Sequence, residues 1–281
     1  MDINEIEQIV SCMAGSSVNV EVQRVQTKHR VKLAECWGIT KGSKVLEIGC
    51  GQGDTTAVLA YFVGDSGLVL GIDIASSNYG APITLGDSIN YLKKSFLGNR
   101  IKIEFEKDVL SSNVNFPGNE YDFVVLSHSS WYLKSFEELQ EILTKARKWG
   151  SKLCFAEWDA RVSSAEQLPH FLSILIQAQY ECFKSESYAN VRTLFTPDDF
   201  KMAAEKAGWN VTVEQSINSP ELQDGKWEVE ETLAAYEEEL QMAEGMPAKL
   251  KTLIKSEVGL LRAALEKNNI QSLTSFALIA K

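Results

Sequence analysis

The sequence is poor in the features that tie a protein to nucleic acid or to a membrane. Its 281 residues carry 28 Lys and Arg against 38 Asp and Glu, a formal net charge of −10, whereas a sequence-independent grip on phosphates needs a basic surface. The longest apolar runs, such as residues 57–63, are far shorter than the ~20 residues that span a bilayer. We therefore expect neither nucleic acid nor a membrane among its partners.

Cysteine and histidine are also scarce. The five cysteines are scattered without a CxxC pair, and there are only three histidines, so neither a disulfide framework nor a zinc cluster is indicated. The acidic N-terminus has no cationic segment followed by a long apolar one, which is the pattern of a secretory signal. These absences predict reduced thiols, no bound metal and a cytoplasmic location.

What the sequence does contain is a regular alternation of strand and helix patterns. From Lys44 onward, short apolar runs alternate with segments of helical periodicity, which predicts an α/β fold with a largely parallel sheet. Several runs are continuous Val, Ile, Leu and Phe, as expected when helices cover both faces of the sheet. The predicted strands lie at 44–49, 67–73, 101–106, 121–127, 151–158, 209–217 and 273–280.

Helices are predicted between these strands and before the first of them. One covers residues 54–63, another 135–149, and a third begins at a Thr196 cap followed by Pro197 and ends at Gly208. Ahead of Lys44, apolar positions recur at intervals of three and four residues, which predicts one buried stripe of an amphipathic helix. That stripe consists of Val22, Val25, His29, Leu33 and Cys36.

Two segments exceed what a minimal sheet-and-helix core needs. Residues 160–195 predict a helical insertion that forms a cap, and residues 218–270 predict a helical hairpin with an apolar stripe on each helix. The hairpin is interpreted as a lid, as a dimer surface or as plain packing on its own core. The remaining parts, 1–159 with 196–217 and 271–281, form the N-terminal helices and the sheet core.

Residues 45–56, VLEIGCGQGDTT, place three glycines directly after a strand. A strand, a glycine loop and a helix bring backbone amides and a helix N-terminus close to a ligand, and glycine lets the main chain approach where a Cβ atom would collide. The dinucleotide pattern G-x-G-x-x-G/A is not met, because Asp54 stands at its last position, and no GK[S/T] follows. The loop therefore predicts a ligand, but not one that carries a pyrophosphate.

The spacing Glu47-x-Gly49-x-Gly51-x-Gly53 resembles the glycine motif of class I S-adenosylmethionine-dependent methyltransferases. The next strand ends in Asp73, which matches the acidic position that accepts hydrogen bonds from both ribose hydroxyls in this family. A carboxylate suits that task because it only accepts. Asp108, after the third strand, matches the position that accepts the adenine amino group. The resemblance covers residues 20–160 closely and the last two strands loosely.

This resemblance implies a Rossmann-like, seven-stranded, mostly parallel sheet with helices on both faces and helical insertions that form a cap. It also implies S-adenosylmethionine as cofactor and S-adenosylhomocysteine as product. The residues that it assigns to the cofactor are Glu47, Gly49, Gly51, Gly53, Asp73, Ile74, Asp108, Val109 and Ser127.

Methyl transfer of this type is an in-line displacement from a sulfonium, so alignment matters more than acid–base help. Positioning contributes about 7–11 kcal/mol, against roughly 3–5 kcal/mol for a general base. If a base is used, His128 after the fourth strand is the leading candidate, because its ordinary pKa of ~6.5 suits proton removal; a structural histidine is the competing interpretation. Glu157 and Asp159, at the end of strand five, are the other catalytic candidates.

Aromatic residues gather where an acceptor would enter, and Trp131, Tyr132 and Trp158 are predicted to bind it. Further aromatic residues of the same region are mostly expected in the core: Phe171, Tyr180, Phe183, Tyr188 and Phe195.

The preferred interpretation is a small-molecule methyltransferase acting on oxygen or nitrogen. After strand four the chain reads Ser127-His128-Ser129-Ser130 and not the Asn/Asp-Pro-Pro-Tyr/Phe type of motif of base methylation, which disfavours a DNA base as substrate. The alternatives are a protein side-chain methyltransferase that docks its partner on the hairpin, and a catalytically silent cofactor-binding scaffold. A nicotinamide dehydrogenase is disfavoured by the glycine spacing, and a homodimer through the helical insertions remains open.

Overall fold

In a computed structural model, the chain is described for residues 1–184, 187 and 189–281. Its strands form one seven-stranded sheet in the order β3-β2-β1-β4-β5-β7-β6. The first five of these run parallel, and β7 enters antiparallel between β5 and β6. The predicted Rossmann-like, mostly parallel sheet is confirmed. The strands are β1 (Lys44–Ile48), β2 (Leu68–Ile72), β3 (Ile101–Glu104), β4 (Tyr121–Ser127), β5 (Gly150–Trp158), β6 (Val211–Ile217) and β7 (Ser275–Ala280).

Helices cover both faces of the sheet, as the continuous apolar strands require. Helices α1 to α4 share one apolar cluster with the sheet, and α5 and α7 share a second cluster on the other face. The helices are α1 (Ile3–Val10), α2 (Val20–Trp37), α3 (Asp54–Val63), α4 (Leu85–Lys93), α5 (Phe136–Trp149), α6 (Leu168–Glu181), α7 (Pro197–Lys206), α8 (Asp224–Met242) and α9 (Ala248–Leu265).

Strand β1 contributes buried side chains to the apolar clusters on both faces of the sheet. Successive side chains of a strand point to opposite faces, so Val45 packs under α1 to α4 while Leu46 and Ile48 pack under α5 and α7. All three are buried, and each buried side chain of this size contributes roughly 1.5–3 kcal/mol relative to an exposed one. This double burial holds the glycine loop that follows β1 on a rigid support.

Two helices begin at residues that cap them; the Thr196 cap was predicted and the Ser135 cap was not. Ser135 accepts a hydrogen bond from the Glu138 amide at the start of α5. At the start of α7, Thr196 and Asp199 each accept from the other's backbone amide, and Pro197 occupies the first turn. Such a reciprocal arrangement satisfies two backbone donors that a helix N-terminus would otherwise leave unpaired.

The predicted apolar stripe of α2 is wrong in its first half. Val22 and Val25 are only half-buried, whereas Gln23, Gln26 and Thr27 are buried. His29 and Leu33 are buried as predicted. The N-terminal half of α2 therefore turns a polar face inward, where Gln23 donates to Asp54 at the start of α3 and Gln26 donates to Asp224 of α8.

Helices α6, α8 and α9 form a third apolar cluster. Val229 and Leu240 of α8 and Ile254 of α9 pack with Leu172 and Ile176 of α6. The apolar stripes predicted within residues 218–270 are thus covered inside the chain. Whether the hairpin also acts as a lid or joins two subunits stays a prediction, as do the predicted segment boundaries. Over the described residues, no helix has both the length and the apolarity to cross a membrane.

Candidate cofactor and acceptor site

The glycine loop lies between β1 and α3, at the carboxyl edge of the parallel strands. Gly49, Gly51 and Gly53 all adopt positive φ angles, of 79°, 50° and 89°. A Cβ atom on Gly49 would lie 2.8 Å from the Ser129 Cβ atom, whereas one on Gly51 meets nothing within 4 Å. Gly51 therefore faces the open space in which a ligand can approach the main chain, while the other two glycines permit close packing.

Asp73, at the end of β2, is joined directly to that loop. Its Oδ2 atom accepts a hydrogen bond from the Gly51 amide at 2.7 Å, and its Oδ1 atom accepts from the Ala75 amide at 2.9 Å. The side chain is half-buried. An ionised carboxylate has about four lone-pair sites, so Asp73 retains capacity for the donors of a bound sugar. Ile74 beside it is 70% exposed.

Asp108 and Val109 follow β3 on the same edge of the sheet. Asp108 is exposed, and its Oδ1 atom accepts from the Leu110 amide at 2.8 Å, which shapes a turn. Val109 is buried in the core. The structure thus brings the predicted ribose and adenine residues to neighbouring strand ends, and leaves a carboxylate oxygen of Asp108 free toward solvent among the described contacts.

Glu47 lies beneath the glycine loop and not within it. Its side chain is 2% exposed, and its Oε2 atom accepts from the Thr56 hydroxyl of α3 at 2.5 Å. Burial raises the pKa of this carboxyl to about 8, against the opposing effect of the Thr56 hydrogen bond. Its position fits an anchor that joins β1 to α3; contact with the cofactor stays a prediction.

The polar face of α2 contacts Asp54, the first residue of α3, directly after the glycine loop. Gln23 donates to the Asp54 carboxylate at 3.2 Å, and an Arg30 nitrogen lies 3.6 Å from the same carboxylate. Gln26 donates to Asp224 of α8 at 2.6 Å. The sequence interpretation missed this set, although polar residues at positions 23, 26 and 30 recur at helical spacing and were the available signal.

His128, directly after β4, is held at both ring nitrogens. Its Nε2 atom lies 2.9 Å from the Ser275 hydroxyl and its Nδ1 atom 3.3 Å from the Ser127 hydroxyl. Its backbone has a positive φ of 50°, a conformation that non-glycine residues seldom adopt. Burial, and then the positive charge of Arg30, lower the pKa of His128 to about 3. The ring is therefore neutral at neutral pH, and a base role, which remains a prediction, is disfavoured by its low basicity.

Glu157, near the end of β5, joins that strand to the turn that follows β4. Its Oε2 atom accepts from the Ser130 amide at 3.1 Å and from the Ser130 hydroxyl at 2.8 Å. Burial raises the pKa of Glu157 to about 7, while its hydrogen bonds act in the opposite direction. A carboxyl group in this range can exchange a proton near neutrality, so Glu157 fits the predicted proton-accepting role better than His128 does.

Asp159 is engaged in an ion pair. Both of its oxygens accept hydrogen bonds from Arg161, the closest at 2.8 Å, and the same guanidinium also reaches Glu214 at 2.9 Å. Bidentate pairing of this kind occupies the carboxylate. The catalytic role predicted for Asp159 is untested, and this geometry favours a structural one.

The predicted acceptor-binding aromatics separate into two kinds. Tyr132 is 48% exposed as a whole residue, but its hydroxyl end is withdrawn from water, and this burial, together with the charges of Glu157 and Glu228, raises its pKa. The Trp158 ring lies 4.7 Å from the His128 ring. Trp131, in contrast, is 3% exposed and packs in the main core, so its placement disfavours contact with a substrate. Of the other aromatics, Tyr188 lies outside the described residues, and the rest belong to or pack against the apolar clusters: Phe171, Tyr180, Phe183 and Phe195.

Two acidic residues of α8, Asp224 and Glu228, lie near Tyr132. Glu228 accepts from Gln177 of α6 at 2.7 Å, and burial raises the pKa of both Glu228 and Asp224. The two acids are four residues apart on one helical face, a signal that the sequence interpretation did not use. Asp224 accepts from Gln26, and, in addition to burial, the charges of Glu157, Glu228 and Asp224 all help to raise the pKa of Tyr132, so these side chains form one polar cluster, here called the polar wall.

Comparison with known proteins finds related sequences over most of the chain. Residues 23–214 match the family model described as a methyltransferase domain. The chain is 28% identical over 209 residues to methyltransferase phomM' from Diaporthe leptostromiformis, with 61% of this chain and 54% of that protein covered. It is 24% identical over 220 residues to a sterol 24-C-methyltransferase from Saccharomyces cerevisiae, with 74% and 51% covered. The chain spans about half the length of these curated relatives.

A solved structure matches the whole chain. The crystal structure of a cyclopropane-fatty-acyl-phospholipid synthase-like protein from Lactobacillus casei is 34% identical, covers 99% of both chains and has a TM-score of 0.87. The [4+2]-cyclase SpnF, 15% identical with a TM-score of 0.54, shares the fold.

Proposed function

The chain belongs to the methyltransferase-domain family, and from that premise we propose that it methylates an oxygen or nitrogen atom of a small polar molecule. S-adenosylmethionine supplies the methyl group, on a positively charged sulfur. The observation that carries the proposal is the polar wall around the acceptor position, where Tyr132, Glu157 and Glu228 lie near one another. A hydrocarbon acceptor has no donors or acceptors to offer these side chains. Burying them against it would therefore be unfavourable, because buried polar groups need hydrogen-bond partners.

The residues of the chain divide into two sets. Gly51, with open space before its Cα atom, lets the main chain approach the donor, and Asp73 and Asp108 hold its sugar and its purine. Tyr132 and Glu228 orient the acceptor. Glu157 takes the proton that an O–H or N–H acceptor loses, since a pKa of about 7 allows it to be ionised before the reaction and protonated after it.

A second candidate rests on the full-length similarity to the Lactobacillus casei protein. Its name refers to fatty-acyl phospholipids, so the second candidate acceptor is a lipid acyl chain. Under this alternative the cleft must admit a hydrocarbon chain beside Tyr132, and the acids of α8 would lie against it unpaired with any ligand group.

The experiment is a competition of acceptors with methyl-labelled S-adenosylmethionine. Purified protein is offered a mixture of small amines and phenols, vesicles of unsaturated phospholipid, and an unrelated protein as a macromolecular acceptor. We expect label in the small polar compounds. Label in lipid alone would replace the proposal by the second candidate, and label in the protein by the side-chain alternative. Binding of S-adenosylhomocysteine without any transfer would indicate a silent scaffold.

Two variants locate the acceptor position. Tyr132→Phe and Glu228→Gln should raise the KM for the acceptor while leaving the affinity for S-adenosylhomocysteine unchanged, because both residues belong to the polar wall. Tyr91→Phe, at a tyrosine that is 45% exposed on α4, is the matched control. A loss of S-adenosylhomocysteine affinity in the first two variants would contradict the division of the site.

A further inference from the structure

A chain of hydrogen bonds runs from the surface through two histidines to Ser127, at the carboxyl end of β4. The exposed Lys32 donates to the Ser219 hydroxyl at 3.1 Å and to the Asn218 carbonyl at 2.8 Å. Ser219 Oγ lies 3.1 Å from His29 Nδ1. His29 Nε2 lies 3.3 Å from Ser275 Oγ, which in turn lies 2.9 Å from His128 Nε2.

The interior of this hydrogen-bond chain is shielded from water. Ser219 is 5% exposed, His29 3% and Ser275 0%. Burial lowers the pKa of His29 well below its ordinary value, and that of His128 to about 3. Both imidazoles are therefore neutral, and a neutral imidazole has one N–H donor and one lone pair.

Lys32 gives the chain a direction. An ammonium group only donates, so one lone pair of Ser219 Oγ is taken from the surface side. Among the described residues, the acceptor within reach of the Ser219 proton is His29 Nδ1. His29 must then carry its proton on Nε2 and donate to Ser275, whose own proton goes to His128 Nε2. The reversed direction would leave the proton of the buried Ser219 hydroxyl without a partner among the described residues, which is costly, whereas this direction leaves the unpaired hydroxyl at the partly exposed Ser127.

We propose that Lys32 is a positioning residue that acts through Ser219, His29 and Ser275 to hold His128 in the tautomer protonated on Nδ1. His128 then donates toward Ser127 Oγ, 3.3 Å away, and the Ser127 proton is left to be donated to an oxygen of a bound ligand. In this state the donor offered to a bound ligand is the Ser127 hydroxyl, and His128 is not the general base.

The consequence for catalysis rests on the proposed function, whereas the tautomer does not. With His128 fixed as a donor, the proton released by the acceptor passes to Glu157. If no methyl transfer is found, the tautomer can still be measured; if the tautomer is wrong, the family assignment is unaffected.

The test is a long-range proton–nitrogen NMR correlation of the imidazole rings in protein labelled at histidine. The chain has three histidines, so three patterns are expected, identified by the pattern lost in His170→Asn and in His128→Asn. His170 is an internal reference, because its Nδ1 atom accepts from the Leu273 amide at 2.9 Å and its proton must be on Nε2. We expect His29 to match His170, and His128 alone to be protonated on Nδ1.

Variants at the surface end separate positioning from mere packing. Lys32→Met removes the donor and should shift His128 to a mixture of tautomers or to the Nε2–H form, and Lys32→Arg should restore the original pattern. If Lys32→Met fails to fold, Ser219→Ala serves instead, because it removes the hydroxyl that links Lys32 to His29 and should change the His128 tautomer in the same way. Lys28→Met, at an exposed lysine of the same helix, should change nothing. A wild-type His128 protonated on Nε2, or a pattern unaltered in both Lys32→Met and Ser219→Ala, overturns the proposal.

Discussion

At the scale of single residues, the most informative groups are two carboxyls that are removed from water. Glu47 and Glu157 are each 2% exposed. Burial raises the pKa of Glu47 to about 8 and that of Glu157 to about 7. Glu47 was a candidate through its place in the glycine motif and Glu157 through its place at the end of strand five, but neither signal reveals how completely the surrounding loops and helices exclude solvent.

The raised pKa of Glu47 makes the stability of the fold depend on pH. The folded protein holds this proton more tightly than the unfolded chain, whose carboxyl has the ordinary value of 4.5, so the contribution to stability is full below that value and is lost as pH rises toward about 8. The slope is at most about 1.4 kcal/mol per pH unit. Glu47→Gln should flatten the fall of the unfolding free energy across this interval, as measured by urea unfolding.

The exposed Glu221 provides the control for that measurement. Glu221→Gln should leave the pH dependence as it is in the original protein. Identical slopes in the original protein and in Glu47→Gln would show that Glu47 titrates alike in the folded and unfolded states.

Asp73 is the residue on which cofactor affinity should depend most directly. Asp73→Ala removes the two acceptors offered to a ribose and also releases the Gly51 amide. Each charge-assisted hydrogen bond contributes roughly 1.5–3 kcal/mol, so affinity for S-adenosylhomocysteine should fall at least about tenfold, as measured by calorimetry. Asp198→Ala, at an exposed acid of α7, is the control, and unchanged affinity in Asp73→Ala would refute the ribose assignment.

At the scale of elements, the glycine loop combines a structural and a binding requirement in neighbouring positions. Gly53 adopts φ of 89°, and a Cβ atom there would lie 2.6 Å from the Ile89 Cδ1 atom of α4. Gly51 adopts φ of 50° with open space before it. The motif indicates glycine at both positions, whereas only the packed helix shows that the two glycines are needed for different reasons.

Alanine at Gly53 should therefore affect stability more than ligand affinity, and alanine at Gly51 should affect ligand affinity more than stability. Gly53→Ala should lower the unfolding free energy by about 3 kcal/mol, from backbone strain and overlap with α4. Gly51→Ala should cost only about 1 kcal/mol of stability but weaken S-adenosylhomocysteine binding more than Gly53→Ala does. Urea unfolding and calorimetry on both variants check this, and equal effects on binding would contradict the assignment of Gly51 to the ligand side.

Helix α2 shows where sequence periodicity misleads. Its existence and its buried His29 and Leu33 follow from the apolar pattern, but the inward turn of Gln23 and Gln26 does not. A periodicity argument assumes that the partner surface is apolar. Here the partners are the carboxylates of Asp54 on α3 and Asp224 on α8, and a helix that covers such groups must satisfy buried hydrogen bonds instead.

At the scale of the whole molecule, the predicted class is confirmed. The sheet order, the family match over residues 23–214 and the full-length structural relative agree with an S-adenosylmethionine-dependent methyltransferase of the class I fold. The cytoplasmic location, the absence of a nucleic-acid partner and a homodimer through the helical insertions stay predictions.

Cofactor binding should be visible in the stability of the entire chain. A ligand that binds only the folded state adds about 2.7 kcal/mol at a concentration of 100 times its Kd. S-adenosylhomocysteine should raise Tm accordingly, and the nicotinamide dinucleotides should not, because the loop lacks their glycine spacing. A shift produced by a nicotinamide dinucleotide and not by S-adenosylhomocysteine would overturn the cofactor assignment.

The features that the sequence determined by itself are local ones. Glycines at positive φ, apolar strands covered on both faces and an acid at the end of β2 depend on a few consecutive residues, so a short pattern carries them. The contacts around the predicted acceptor position join distant segments: Gln26 donates to Asp224, and His128 is linked to His29 through Ser275. Only the tertiary structure decided these, because they depend on how α2 and α8 pack over the sheet, and no local sequence pattern specifies that packing.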